Sequence, residues 1–184
     1  AIDAACRLKS RGRVRAVVVA GCFPQRERER LFDMFPEVDA VMGVDELGDV
    51  AAVVRRLEHG ERLFSLVSGR PHRLFDPRLL EPGRHPVVFS GAPHAYLKVA
   101  EGCNHRCAFC AIPAIRGRYR SRPLARILAE AESLLEAGYR ELDLVSQDVT
   151  AYGIDLPGSE RLPDLLRALG RLGDRSWIRL LYGY

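Results

Sequence analysis

Three cysteines lie within eight residues, at Cys103, Cys107 and Cys110. The sequence around them reads E-G-C-N-H-R-C-A-F-C, so the three thiols share one short segment. A closed [4Fe-4S] site takes four cysteines, whereas three thiolates leave one iron open to another ligand. A catalytic zinc keeps one position free in the same way. The spacing therefore predicts a cluster-binding loop whose open iron binds a substrate or a cofactor.

Two other interpretations of these cysteines have to be weighed. A structural zinc site could recruit His105, His94 or Cys22 as its fourth ligand. Alternatively, three buried cysteines could simply fill a core. A segment that carries Gly, Asn and Arg is a poor core segment, and Phe109 stands directly before the last cysteine. Cluster binding is thus favoured, while zinc stays open.

The composition of the 184-residue chain is that of an ordinary folded protein, with 47% hydrophobic and 28% charged residues. Five cysteines are an odd number, which argues against a disulfide framework. Apolar runs such as 16–20 are far shorter than the roughly 20 residues of a membrane span, and no signal peptide is recognisable. We therefore expect a cytoplasmic protein with no membrane partner. The net charge of +4 identifies no partner by itself.

Residues 1–60 alternate between short β-branched runs and charged segments with an apolar stripe. This rhythm predicts a parallel sheet with helical crossovers. The predicted elements are helices over 1–11, 25–35 and 45–58, the last capped by Asp45, and strands over 14–20 and 38–42.

The periodicity fails after residue 60, where prolines and glycines accumulate, so we interpret 61–93 as a connection between two domains. The rhythm then resumes in 94–184. The predicted elements there are strands over 96–100, 141–146 and 177–182 and helices over 124–137 and 162–172. The cysteine segment follows the first of these strands, and Gln147 and Asp148 follow the second. Both lie at the edge where α/β folds bind their ligands.

These segments resemble the radical SAM (S-adenosylmethionine) superfamily, and more closely its methylthiotransferase branch. The similarity continues through I-P-A-I-R-G-R-Y-R-S-R-P (112–123) and S-Q-D-V-T-A-Y-G-I-D (146–155), and V-V-V-A-G-C-F-P-Q (17–25) matches the family's third cysteine motif at Cys22. The resemblance implies an α/β fold: the C-terminal part of an N-terminal parallel α/β domain, then the first three βα strands of a partial TIM-like radical SAM barrel. It also implies a fragment, because two earlier cysteine motifs, the later barrel strands and a C-terminal TRAM domain have no counterpart.

The same resemblance implies the cofactors. Cys103, Cys107 and Cys110 would hold a [4Fe-4S] cluster that cleaves SAM, and Cys22 would be one ligand of a second [4Fe-4S] cluster. Phe109, Gln147 and Asp148 would contact SAM. In the family, an electron from a donor such as flavodoxin or ferredoxin enters the first cluster, a 5'-deoxyadenosyl radical removes hydrogen from the substrate, and the second cluster delivers the methylthio sulfur.

Two substrates compete within the family. The wording S-Q-D-x-x-x-Y-G-x-D favours the branch that modifies the β-carbon of an aspartate in protein twelve of the small ribosomal subunit. The tRNA-modifying branch usually reads G-Q-N, where this chain has Ser146, Gln147 and Asp148. The resemblance thus implies a transferase acting on a ribosomal protein, with the fragment alone inactive and RNA contact made through the absent C-terminal domain. The alternatives are a tRNA adenosine methylthiotransferase and a non-catalytic Fe-S or zinc-binding fragment.

Overall fold

The computed structural model describes residues 1–68, 94–173 and 176–184. These residues form two compact units: unit 1 contains 1–68 together with Ala114–Arg116, and unit 2 contains the rest. No helix in the described ranges is long and apolar enough to cross a membrane. The domain limits predicted above stay a prediction, and most of the proposed connection, 69–93, lies outside the described residues.

Unit 1 is built on a small parallel sheet, as predicted. Its strands lie in the order β1, β2, β3 with every pairing parallel. The central strand is fully buried, since a parallel strand with helices on both faces has no solvent-exposed side. The elements of unit 1 are β1 (Val18–Ala20), β2 (Ala40–Met42), β3 (Phe64–Leu66), α1 (Ile2–Ser10), α2 (Cys22–Glu27), α3 (Arg30–Met34) and α4 (Val50–Glu58).

Two helix predictions in unit 1 were wrong in detail. The segment 25–35 does not form one helix, because the chain leaves the helical conformation at Arg28, whose φ is 53°. Residues 26–30 carry no apolar side chain, so packing does not favour a continuous helix there. Asp45 does not cap α4, which begins at Val50 after a 3-10 turn and has no side-chain cap.

The third strand of unit 1 lies inside the stretch that the sequence predicted as a connection. Phe64–Leu66 pair in parallel with β2, with Phe64 opposite Ala40 and Leu66 opposite Met42. A strand of three residues is too short to show a periodicity, which is why the pattern did not reveal it.

Unit 2 contains a second parallel sheet, in the order β4, β7, β8. Its strands and helices are β4 (His94–Lys98), β7 (Glu141–Val145), β8 (Trp177–Leu180), α6 (Leu124–Glu136) and α7 (Leu162–Leu169). All five were predicted, with ends that differ by at most three residues. The helices cover one face of the sheet, where Leu97, Leu142 and Leu144 are fully buried against Ile127 and Leu165.

The cysteine segment forms a loop whose two ends are hydrogen-bonded to each other. Two short strands, β5 (Ala100–Glu101) and β6 (Arg120–Ser121), pair antiparallel on either side of it. A short helix, α5 (Ile112–Arg116), lies within this loop. The sequence predicted neither the ribbon nor this helix. We call residues 102–119 the cysteine loop.

Candidate metal centre

The three cysteines of the cysteine loop are free thiols, and backbone hydrogen bonds fix their neighbourhood. The amide of Cys103 donates to the carbonyl of Gly117 at 3.2 Å, and the amide of Cys110 donates to the carbonyl of Cys107 at 3.0 Å. Cys103 is buried, while Cys107 and Cys110 are partly exposed. The thiols therefore lie on a backbone that is held where the loop starts and where it ends.

Gly102 brings the two ends of the cysteine loop unusually close together. Its φ is +78°, and a Cβ placed there would lie 2.2 Å from the carbonyl oxygen of Arg118 and 2.6 Å from that of Gly117. Only glycine fits such an approach in this conformation. The amide of Gly102 also donates to Oε1 of Gln147 at 2.8 Å. The residue before Cys103 is thus fixed from two sides.

His105 connects the middle of the cysteine loop to the segment after β7. Its Nε2 lies 2.8 Å from Oδ2 of Asp148, and its ring stacks on Tyr184 with centroids 3.9 Å apart. One ring nitrogen of His105 is therefore engaged with a carboxylate. His94 begins β4, at the other end of the strand from the cysteine loop. The zinc alternative through His94 gains no support from this arrangement.

Asp148 is a buried carboxylate with hydrogen bonds to both oxygens. Oδ1 accepts from the amide and the hydroxyl of Thr150, and Oδ2 lies against His105. Burial raises the pKa of Asp148, but the hydrogen bonds from Thr150 and His105 outweigh that effect and bring the pKa below its usual value. The backbone carbonyl of Asp148 accepts from the hydroxyl of Tyr119 at 2.8 Å, and burial raises the pKa of that phenol.

The rest of the S-Q-D-x-x-x-Y-G-x-D motif packs against β6. Asp155 accepts from the amide and hydroxyl of Ser121 at 2.8 and 2.6 Å, and the hydroxyl of Ser121 accepts from the amide of Gly153 at 2.9 Å. The hydroxyl of Tyr152 donates to the carbonyl of Arg122 at 2.9 Å. The motif therefore holds the far end of the cysteine loop as well as its start.

The other predicted site residues lie as follows. Phe109 is 94% exposed within the cysteine loop. Cys22 begins α2 in unit 1, where Nη2 of Arg116 donates to its sulfur at 3.0 Å. The contact of Gln147 and Asp148 with SAM stays a prediction; their side-chain oxygens contact the cysteine loop and Thr150. Sequence reasoning missed Tyr119 and Tyr184, which no spacing pattern marks.

The fit of a cluster to these residues rests on donor chemistry. Across the described ranges, no group of three His, Cys, Asp or Glu side chains converges closely enough to hold a single metal ion. Three free cysteines nevertheless share one loop, and cysteine thiolates are the ligands of Fe-S clusters. The donor chemistry of the loop therefore fits a [4Fe-4S] cluster.

Part of the chain matches a known protein family. Residues 97–180 match the model of the radical SAM superfamily. The chain is 45% identical over 168 residues to the ribosomal protein uS12 methylthiotransferase RimO of Moorella thermoacetica, and 46% identical over 168 residues to that of Gloeobacter violaceus. Each alignment covers 91% of this chain and 37% of the relative. The chain therefore spans little more than a third of the length of these relatives.

Two solved structures that share this fold are of one radical SAM methyltransferase. One is TsrM from Kitasatospora setae with tryptophan substrate and the SAM analog aza-SAM bound, with a TM-score of 0.61 at 17% identity over 96% of this chain and 39% of that chain. The same protein with cobalamin and a [4Fe-4S] cluster bound gives 0.55 at 17% identity over 89% of this chain and 36% of that chain. At this identity the likeness shows the fold alone, which is that of a partial radical SAM barrel.

Proposed function

We propose that the chain is the cofactor-binding part of a methylthiotransferase. The premises are that residues 97–180 match the radical SAM superfamily and that 91% of the chain is similar to a uS12 methylthiotransferase. The observation that carries this proposal is the cysteine loop. It presents Cys103, Cys107 and Cys110 after the first strand of a parallel sheet, on a backbone closed by β5 and β6. That is the edge where α/β folds bind their ligands.

The cysteine loop would hold a [4Fe-4S] cluster through its three thiolates. When bound, the cluster and SAM supply the one-electron chemistry that removes hydrogen from an unactivated carbon. The protein supplies position: burial of Cys103 shields one thiolate from water, while Phe109 offers an exposed ring for contact with SAM. Gly102 keeps the start of the loop against Gly117 and Arg118.

Cys22 is our candidate ligand for a second [4Fe-4S] cluster. It stands at the start of α2, directly after β1, and Gly21 before it has a φ of 109°. Its thiol is partly exposed and accepts a hydrogen bond from Nη2 of Arg116. Cys6 is instead buried in α1, and this burial raises the pKa of the Cys6 thiol.

The substrate we propose is protein uS12 of the small ribosomal subunit, modified at the β-carbon of an aspartate. Support comes from the similarity to uS12 methylthiotransferases over 91% of the chain. The reaction would take place in the cytoplasm and would need an electron donor such as flavodoxin or ferredoxin.

The test is anaerobic reconstitution of the chain with iron and sulfide. We expect about four iron atoms per chain at the cysteine loop. We expect uptake to fall to background when Cys103, Cys107 and Cys110 are all replaced by alanine. Cys6→Ala is the control, since Cys6 is buried like Cys103 but lies in the core of unit 1. Tetrahedral zinc, or iron uptake that survives the triple replacement, would overturn the proposal.

The substrate is tested with the whole enzyme that contains this chain. A uS12 peptide should gain one methylthio group in an assay with SAM and reductant, detected by mass spectrometry. A gain on tRNA adenosine with an unmodified peptide would contradict the substrate assignment while leaving the cluster proposal intact.

A further inference from the structure

We propose that Gln147 and Asp148 are positioning residues that set where the cysteine loop lies relative to the sheet, and thereby where the loop places its cluster. Both follow β7, the strand paired with β4, from which the chain leads into the cysteine loop. The effect on the cluster rests on the function proposed above. The effect on the loop does not, because it is a property of the protein chain alone.

Gln147 holds the start of the cysteine loop. Its Oε1 accepts from the amide of Gly102 at 2.8 Å, across 45 residues of sequence. This amide is the last backbone donor before Cys103. On the other side, the carbonyl oxygens of Gly117 and Arg118 limit how far Gly102 can move. Loss of the Gln147 oxygen would therefore remove one of the contacts that hold the start of the loop.

Asp148 holds the middle of the cysteine loop through His105. The carboxylate is 4% exposed and its orientation is fixed by two bonds from Thr150, so Oδ2 is presented to His105 in one place. A hydrogen bond to a buried carboxylate is roughly twice as strong as a neutral one. The ring of Tyr184 stacks on the face of the imidazole. His105 lies midway between Cys103 and Cys107, so its position constrains both thiols.

The end of the cysteine loop is tied to the same segment. The hydroxyl of Tyr119 donates to the carbonyl of Asp148, and the amide of Tyr119 donates to Oδ1 of Asn104 at 3.1 Å. The loop is thus attached to residues 147–148 at its start, middle and end. Since both oxygens of Asp148 and Oε1 of Gln147 accept bonds from the chain itself, the geometry favours positioning over direct chemistry for these two residues.

The first experiment measures the loop without any cluster. Hydrogen exchange of peptides covering 101–119 is followed in the metal-free chain for wild type, Gln147→Ala and Asp148→Ala. We expect exchange at least about tenfold faster in both variants, because each loses a bond that opposes local opening. The conservative variants Gln147→Glu and Asp148→Asn keep an acceptor oxygen and should lie closer to wild type.

Asp164→Asn is the matched control for this experiment. Asp164 is also a carboxylate of unit 2 that accepts a backbone amide, from Arg161, but it lies on α7 and does not contact the cysteine loop. Its replacement should leave the 101–119 peptides unchanged. Far-UV circular dichroism and exchange in the α6 peptides show whether each variant is folded. Unchanged exchange of the loop in both alanine variants would overturn the proposal.

The second experiment asks whether loop position reaches the cluster. After reconstitution, the midpoint potential and the electron paramagnetic resonance spectrum should change in Gln147→Ala and Asp148→Ala and return toward wild type in the conservative variants. A merely structural role would lower iron content without altering the spectrum of the cluster that forms. A loosened loop with unchanged potential and spectrum would refute the effect on the cluster. If wild type binds no iron, the proposed function fails, while the exchange experiment still decides whether Gln147 and Asp148 hold the loop.

Discussion

Replacing Gly102 with alanine should destabilise unit 2 more than the same replacement at another glycine of left-handed conformation. A left-handed φ costs an alanine about 1–2 kcal/mol. At Gly102 the new Cβ would also lie 2.2 and 2.6 Å from two carbonyl oxygens. The backbone must then shift, and forced overpacking typically costs about 1–3 kcal/mol more. We expect Gly102→Ala to lower the free energy of unfolding by about 2–5 kcal/mol in total.

Gly138→Ala separates the two contributions. Gly138 has a φ of +98°, and a Cβ there would meet no atom within 4 Å. This variant should lose only the conformational part, about 1–2 kcal/mol. Urea unfolding followed by circular dichroism measures both variants, and an unchanged dependence on urea shows that the two-state comparison holds. Equal losses, or a larger loss at Gly138, would refute the reasoning that the carbonyls of Gly117 and Arg118 limit the loop.

Three further outcomes follow from single contacts. Leu144→Ala removes a fully buried side chain of the sheet in unit 2 and should lower the free energy of unfolding in urea by about 2–5 kcal/mol. A decrease of less than about 1 kcal/mol would mean that neighbouring side chains fill the cavity. Ser121→Ala leaves the amide of Gly153 without its acceptor and takes one donor from Asp155, so we expect a loss of about 1–3 kcal/mol, and a neutral result would contradict this network. The pKa of Asp148 in the folded protein lies below its ordinary value of 3.8. The ionised carboxylate therefore stabilises the fold above pH 3.8. This stabilisation is lost as the pH falls through the pKa of the folded protein. The unfolding free energy of Asp148→Asn should accordingly fall less steeply in acid than that of wild type, and parallel acid profiles would exclude the contribution.

Elements with enough residues to show a period could be predicted from the sequence. The thirteen-residue α6 and the strand β7 were located to within one residue, because apolar side chains recur at the spacing of the face they bury. The three-residue β3 and the two-residue β5 and β6 are shorter than any period. Their existence depends on pairing partners distant in sequence, which local patterns do not carry.

In the candidate site, too, local features could be predicted from the sequence and long-range contacts could not. The spacing of Cys103, Cys107 and Cys110 indicates the chemistry because ligand type and separation are local properties. What holds the loop is not local: Gln147 reaches Gly102 across 45 residues and Asp148 reaches His105 across 43. The sequence placed both polar residues at the correct edge of the sheet, but it could not say that their oxygens contact the cysteine loop.

The pairing of β5 with β6 makes the cysteine loop a closed ring whose ends meet whatever lies between them. The entropy lost on closing a flexible ring grows only with the logarithm of its length, so that doubling the length costs about 0.6 kcal/mol. The cost of closing the ring therefore does not fix its length. Between Cys110 and Gly117 the length is fixed instead by α5 and by the hydrogen bond from Arg116 to Cys22. Between the cysteines it would be fixed by the reach of three sulfur atoms to one cluster. Changes of length should therefore be harmful through the contacts they break rather than through the entropy of ring closure.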